Sequence, residues 1–185
     1  MEGADELLYL AAEPIAAAFL GSLNPSSRTL LGHYRPGVDR DEIYEAIAED
    51  VLTAVRAGGR VCFALYGHPG FLGRPAHLAL ARARAEGLQA RMLPAVSALD
   101  CLVADLGFDP ADTGLHTYEA TEFLMNARRP DPTATLVLWQ LGVLGMADWG
   151  SEPNPAHVAV LAEYLRRWYP AEHEVVVYEL SLIHI

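Results

Sequence analysis

The segment His33–Tyr44, HYRPGVDRDEIY, carries side chains that can stabilise negative charge on an oxygen atom. Asp39 precedes an apolar periodic run and Glu42 follows three residues later, which is typical of a helix N-terminus. Arg40 and Tyr44 are four residues apart, so they share one face at the start of that helix. A fixed guanidinium and a phenol hydroxyl would act there as an oxyanion hole does. From spacing alone, the favoured interpretation is a surface arginine beside half-buried tyrosines.

A strand, a sharp turn and a helix follow this segment. Residues 59–66, GRVCFALY, form an apolar run that suits a strand buried on both faces. The turn Gly67–Gly70 reads GHPG. The helix is predicted to start at Pro75, whose fixed φ fits a first helical position, and to stop at Gly87.

A second unit of the same kind comes next. Residues 89–93 are predicted to form a strand, and the turn Pro94–Ser97, PAVS, follows it. Ser97 can cap the helix after that turn, with Asp100 as a weak capping box. Repeated strand–helix units predict a parallel sheet with right-handed crossovers. Both turns then lie at the carboxyl edge of the sheet, where open α/β folds bind ligands.

The predicted fold class is α/β in two domains. The charged, proline-rich joint ARRPDP at 127–132 separates an amino-terminal α/β domain, 1–126, from a partial carboxyl-terminal α/β domain, 127–180. The second domain is predicted to contain a strand at 135–140, a helix at 156–168 and a strand at 174–180. The final residues 181–185, SLIHI, match no expected element and resemble translated adapter sequence, so His184 is given no function.

Composition excludes several classes of protein. The net charge of −11, from 13 basic and 24 acidic residues, argues against nucleic acid as a partner. No run approaches the ~18 apolar residues of a membrane span, and no secretory signal is recognisable, so a cytoplasmic enzyme without a membrane partner is expected. Cys62 and Cys101 are interpreted as buried thiols of a reducing compartment. The seven histidines are scattered, without metal-ligand spacing, so no metal is expected.

Four motifs together resemble the tetrapyrrole methylase superfamily. They are GHPG after a strand, LPxxSAxDCLxADLGxDP, YEATEFL and LVLWQLGVxG. Within that superfamily the chain is most similar to the borosin-type peptide backbone N-methyltransferases, from about Ala4 to Glu179. The resemblance implies S-adenosylmethionine as cofactor and a precursor peptide as substrate, whether fused or separate. It also implies that a strand and a helix before Glu6 are missing, so we expect a piece of a longer gene.

The resemblance also implies which residues line the cofactor. They are Tyr66, Gly67, His68, Gly70, Phe71, Ser97, Ala98 and Gln140. S-adenosylmethionine has no phosphate, so the glycines would serve to let the backbone approach the ligand closely. The purely structural alternatives are a helix cap for Ser97, an aromatic residue at the edge of the sheet for Tyr66 and a polar residue at a strand end for Gln140. Ala95 departs from the family, which commonly has glycine there, and would be strained if the turn requires positive φ.

On the substrate side, the borosin-type enzymes have a Tyr–Arg–Tyr set that Tyr34, Arg40 and Tyr44 match, with Tyr66 as a fourth catalytic residue. An amide nitrogen is a poor nucleophile because its lone pair is delocalised into the carbonyl. Loss of its proton places charge on oxygen, which a guanidinium and phenols would stabilise. A tyrosine whose pKa is lowered by the nearby arginine would accept the proton.

Two other functions stay open at this point. A precorrin-type tetrapyrrole C-methyltransferase would need a wide trough and no Tyr–Arg–Tyr set. An inactive relative that only binds a peptide or dimerises would fit Ala95 and the missing first strand.

A homodimer is also expected from the family resemblance. Phe19, Leu20 and Leu23, together with Trp139, Trp149 and Trp168, are predicted to offer apolar surface to a second copy.

Overall fold

The structure is a computed structural model that describes residue 1 and residues 3–179. The described chain packs into two compact units: Met1–Ala98 with Ala147–Gly150, and Leu99–Met146 with the chain from Ser151 onward. These units divide the chain at positions other than the predicted domain boundary at 126/127, which remains a prediction. The expected tail 181–185 lies outside the described residues.

The first unit is built on a parallel sheet of three strands in the order β2-β1-β3. The strands are β1 (Glu6–Leu10), β2 (Ser27–Thr29) and β3 (Val61–Leu65), and the helices are α1 (Pro14–Leu23), α2 (Arg40–Arg56) and α3 (Arg74–Ala85). Consecutive residues of a strand point to opposite faces, and Leu7 and Leu8 are both fully buried. Leu8 packs with Ile43 and Ile47 of α2, and Leu7 packs with Leu20 of α1. The predicted parallel sheet, covered on both faces, is confirmed for this unit.

The start and the apolar stripe of α2 follow the sequence prediction. The Asp39 carboxylate accepts hydrogen bonds from the backbone N–H groups of Asp41 at 2.8 Å and Glu42 at 3.4 Å. Ile43, Ile47 and Val51 are buried on one face of the helix. The cap satisfies N–H groups that have no partner within the helix, so it fixes where α2 begins and therefore where Arg40 lies.

The second unit contains the parallel pair β4 (Leu115–Glu119) and β5 (Thr135–Trp139). Its helices are α4 (Ala98–Leu106), α5 (Pro110–Thr113), α6 (Ala120–Met125) and α7 (Pro155–Leu165), with a 3-10 turn at Leu141–Val143. Phe123, fully buried, packs with Leu144 and Leu161 at the core of this unit. In the described part of the chain, no helix has the length and apolar character needed to cross a membrane.

Two predicted strands are not formed. Residues 89–93 are irregular, and residues 174–179 contain no strand, while Leu180 lies outside the described residues. Apolar alternation favours extended backbone, but a strand also needs a neighbour to share its hydrogen bonds. Val175, Val176 and Val177 are between 71% and 82% exposed, so they have neither a pairing strand nor a covering layer among the described residues.

One residue of the predicted dimer surface is part of the core instead. Leu20 is buried against Leu7 and Ala64, whereas Phe19, at the preceding position of α1, is 60% exposed. Only the exposed face of α1 is therefore open to a partner.

Candidate functional site

The GHPG turn is held by its own histidine. Gly67, two residues after the end of β3, has a φ of +74°, which glycine adopts without steric cost. The His68 ring accepts a hydrogen bond at Nδ1 from the Gly70 N–H at 2.9 Å, and His77 Nε2 of α3 donates to the Gly70 carbonyl oxygen at 2.9 Å. His68 also accepts at its carbonyl from the Phe71 N–H at 3.0 Å. These bonds fix the turn and leave Tyr66, 52% exposed, at its start.

The two predicted turns lie at the same edge of the sheet. A Cβ placed on Gly67 would lie 3.4 Å from the carbonyl oxygen of Val96 in the PAVS turn. Exposed apolar side chains line this edge: Tyr66, Leu72, Leu93 and Val96, at 47% to 65% exposure. Leu72 adopts a positive φ of 55°, an uncommon conformation that is often associated with functional sites. At this edge of the sheet, the backbones of the two turns therefore approach each other closely, and the apolar side chains beside them are exposed.

The expected strain at Ala95 is not found. The described non-glycine residues with positive φ are Leu72, Ala127 and Gln140, and Ala95 is not one of them. Alanine is therefore compatible with the turn, because only a left-handed backbone would have required glycine.

Most of the predicted cofactor residues lie in the first unit, and Gln140 belongs to the second. Tyr66 to Phe71 form the first turn, and Ser97 and Ala98 are half-buried where α4 begins. Gln140 belongs to the second unit, directly after β5, and has a left-handed backbone with φ 63° and ψ 36°. The strand was predicted to extend to residue 140. Because the left-handed backbone of Gln140 cannot continue a strand, β5 ends at Trp139 instead.

Tyr34, Arg40 and Tyr44 come together at the start of α2. Tyr34 and Tyr44 both pack against the buried cluster that contains Ile43 and Ile47. Burial, with a smaller contribution from Tyr44, raises the pKa of Tyr34 to about 12, although Arg40 acts in the opposite direction with a still smaller effect. Tyr34 is therefore not the tyrosine of lowered pKa that the sequence predicted, because desolvation outweighs the attraction of the Arg40 cation.

A segment distant in sequence, Ala147–Gly150, completes this region. The Arg40 N–H donates to the Ala147 carbonyl at 3.0 Å, and the Trp149 N–H donates to the Val38 carbonyl at 2.9 Å. The Gly37 N–H donates to the Trp149 carbonyl at 2.9 Å. The segment thus lies antiparallel to the residues that lead into α2 and holds them in place.

Trp149 is a member of the site that sequence reasoning missed. Its ring centroid lies 4.7 Å from that of Tyr34 in an edge-on arrangement, and the Arg40 Cζ lies 6.0 Å from it. Arg40 Nε is buried and has no hydrogen-bond partner in the described part of the chain. A buried N–H without a partner is costly, so the described part of the chain leaves the need of this donor for an acceptor unmet. No local pattern in the sequence connects Trp149 to residues 34–40.

An ionic network supports the loop that carries Tyr34. His33 Nε2 lies 2.8 Å from Asp50 Oδ2, and Arg28 Nη1 donates to the same oxygen at 2.9 Å. The Arg28 hydrogen bond, together with a smaller contribution from His33, holds the pKa of Asp50 below its usual range. Asp50 of α2 thus connects β2 and the 3-10 turn at Leu31–His33 to the helix that carries Arg40 and Tyr44. Among the described residues, no cluster of His, Cys, Asp and Glu side chains could hold a metal ion.

Comparison with known proteins identifies the family. The family described as Tetrapyrrole (Corrin/Porphyrin) Methylases matches residues 2–180. The chain is 41% identical to the methyltransferase/ribosomally synthesized cyclic peptide omphalotin A precursor of Omphalotus olearius, and 39% identical to the corresponding gymnopeptides precursor of Gymnopus fusipes. Both alignments cover 99% of this chain and 44% of the relative.

A third relative is the type I borosin cyclic peptide precursor, also named a methyltransferase, of Coprinopsis marcescibilis. It is 40% identical over 96% of this chain and 46% of its own length. The chain therefore spans less than half the length of these relatives. The predicted resemblance to borosin-type methyltransferases is confirmed, and the match over nearly all of the chain shows that the protein belongs to the tetrapyrrole methylase family.

Proposed function

We propose that the protein transfers a methyl group from S-adenosylmethionine to backbone amide nitrogens of a peptide. The observation that carries this proposal is the group formed by Tyr34, Arg40 and Trp149, in which the buried Arg40 Nε lacks an acceptor. The names of the relatives, which join a methyltransferase to a cyclic peptide precursor, support a peptide as the substrate. These names do not favour a tetrapyrrole as the substrate.

The edge formed by the two turns fits S-adenosylmethionine. This ligand has an aromatic base, an apolar chain and polar amino acid groups, and the edge offers exposed apolar side chains beside the closely approaching backbone of the two turns. Tyr66, Gly67, His68, Gly70, Phe71, Ser97 and Ala98 would hold it there, and Gln140 is proposed as a further contact. When bound, it supplies a methyl group on a positively charged sulfur. The face of an aromatic ring such as that of Tyr66 would attract that charge.

Arg40 would stabilise the acceptor amide as its nitrogen becomes nucleophilic. Removal of the amide proton moves negative charge onto the carbonyl oxygen. The Arg40 Nε–H, buried and without a partner among the described residues, is a donor of the kind that such an oxygen needs. A donor that is fixed before the reaction stabilises charge without reorganisation, and Trp149 together with the cap of α2 limits the movement of Arg40.

Tyr34 would act as a second donor and not as the base. With a pKa of about 12, its hydroxyl stays protonated at neutral pH and can donate a hydrogen bond to the same oxygen. The proton of the amide would then pass to another group, and Tyr44 and Tyr66 are the remaining tyrosines of the proposed set.

Mass spectrometry of a valine-rich peptide after incubation with the protein and S-adenosylmethionine tests the proposal. We expect mass increases of one methyl group at a time, with fragment ions that place them on backbone nitrogens. Methyl groups found only on side chains, or on an added precorrin but not on the peptide, would contradict it. Calorimetry with the demethylated cofactor should detect binding whether or not the chosen peptide is accepted, so a poor peptide is distinguished from a wrong cofactor.

A further inference from the structure

Trp149 has an exposed surface that the proposed chemistry does not use. We propose that Trp149 determines specificity by receiving an apolar side chain that flanks the acceptor amide of the peptide. The inference rests on the proposed function and deepens it by naming the class of residue that the site prefers.

The indole of Trp149 is held in a fixed orientation. Its backbone makes two hydrogen bonds of 2.9 Å to the residues before α2, one through its N–H to Val38 and one through its carbonyl to Gly37. Its ring packs edge-on against Tyr34 at a centroid distance of 4.7 Å. Gly150 adopts a φ of +79°, and a Cβ there would contact Pro36 at 3.4 Å, so the chain turns tightly after the indole. A ring held in this way is a preorganised binding surface.

The indole is nevertheless 41% exposed, beside a donor that needs an acceptor. Aromatic residues with an apolar body and one buried edge are enriched among the residues that dominate binding at interfaces. A peptide carbonyl that accepts from Arg40 Nε brings its own neighbouring Cα atoms close to the ring, because the Arg40 Cζ is only 6.0 Å from the ring centroid. One side chain flanking that amide therefore lies against the indole.

The surroundings of the indole select the type of side chain. A branched aliphatic or aromatic side chain would remove apolar surface from water on both partners. A basic side chain would lie next to the Arg40 cation and be repelled, and an acidic one would pair with the guanidinium and occupy the donor. Glycine would leave the indole uncovered. The site should therefore prefer residues such as valine and phenylalanine beside the acceptor amide.

The kinetic test uses valine-rich peptides that differ only beside one acceptor amide, where they carry glycine, valine or phenylalanine. For the wild-type protein we expect kcat/KM to be roughly tenfold higher for the valine and phenylalanine peptides than for the glycine peptide. Trp149→Ala should abolish this ratio, while Trp149→Phe should retain most of it. Trp168→Phe removes an indole that packs on Tyr164 in the second unit, and should leave the ratio unchanged. If Trp149→Ala lowers kcat/KM by the same factor for all three peptides, Trp149 only braces its neighbours and the inference is wrong.

A binding test separates this inference from the proposed reaction. The sequence has three tryptophans, so in a Trp139→Phe/Trp168→Phe variant only Trp149 emits. Adding the peptides without S-adenosylmethionine should change its emission more for phenylalanine than for glycine. That result without any methyl transfer would reject the proposed function and leave standing only the binding of an apolar side chain to Trp149. Methyl transfer, together with a Trp149 emission that changes equally for the phenylalanine and glycine peptides, would reject the inference alone.

Discussion

At the scale of single residues, Arg40 is the proposed donor that stabilises charge in the site. We predict that Arg40→Ala slows methyl transfer by a factor on the order of 10²–10³, as the loss of one oxyanion donor does, while cofactor binding changes little. Arg40→Lys should recover only part of the rate, because an ammonium lacks the planar donor array that a guanidinium presents. The measurement is the initial rate of peptide methylation at saturating cofactor.

Arg60→Ala is the matched control for that experiment. Arg60 is a surface residue of the same unit, and its ion pair with Asp5, at 3.5 Å between Nη2 and Oδ1, is largely exposed to solvent. Its loss should leave the rate within about twofold of the wild type, because exposed pairs contribute little. Equal rates of methylation for the wild type and Arg40→Ala would show that Arg40 has no part in the reaction.

Tyr34 gives a prediction about alkaline pH. Its folded pKa of about 12 exceeds the ordinary value of 10.0 because burial disfavours the phenolate. Between these values the unfolded chain binds fewer protons than the folded protein at this residue, so the stability of the fold should decrease as pH rises through that window. Ultraviolet titration should show one phenol fewer at the alkaline end in Tyr34→Phe, and that variant should lose part of the pH dependence. A phenol with a midpoint below 10 that disappears in Tyr34→Phe would contradict the proposed donor role.

At the scale of elements, the turn between β3 and α3 depends on a close backbone approach. A Cβ on Gly73 would clash with the carbonyl oxygen of Pro69, a backbone atom that cannot move aside cheaply. We predict that Gly73→Ala destabilises the protein by about 1–3 kcal/mol or more, through a shift of the GHPG turn. Gly59→Ala, whose nearest contacts would be 3.8 Å or longer, should stay within roughly 0.5 kcal/mol of the wild type. Chemical denaturation measures both.

The sequence correctly predicted elements whose hydrogen bonds are made within one segment of the chain. The stripe Ile43, Ile47 and Val51 and the Asp39 cap predicted α2, since helix hydrogen bonds are made within one segment. Residues 89–93 and 174–179 carry strand-like composition but did not form strands, because pairing depends on a neighbour that periodicity cannot identify. Trp149 was missed for the same reason: its contacts to residues 34–40 come from a segment that has no local signature.

At the scale of the whole molecule, a homodimer remains a prediction. Ile15 and Phe19 are 79% and 60% exposed on one face of α1, which is more apolar surface than a solvated helix usually presents. We expect an isologous dimer at micromolar concentration, and a shift towards monomer for Phe19→Asp, measured by light scattering. Ala18→Asp, on an exposed neighbouring position of the same helix, should act in the same direction. Full activity from a monomer at that concentration would refute the prediction.

The contact between Asp39 and Asp148 joins residues more than a hundred positions apart. Closing so long a loop carries a large entropic cost during folding, so the Ala147–Gly150 segment should reach its native place late, after α2 and the sheet have formed. The same contacts should open first in the folded state. Hydrogen exchange at the amides of Gly37, Arg40 and Trp149 would then be faster than exchange in β1. A ligand that binds only when the segment is closed would slow that exchange in proportion to its concentration, which makes these three amides direct reporters of occupancy.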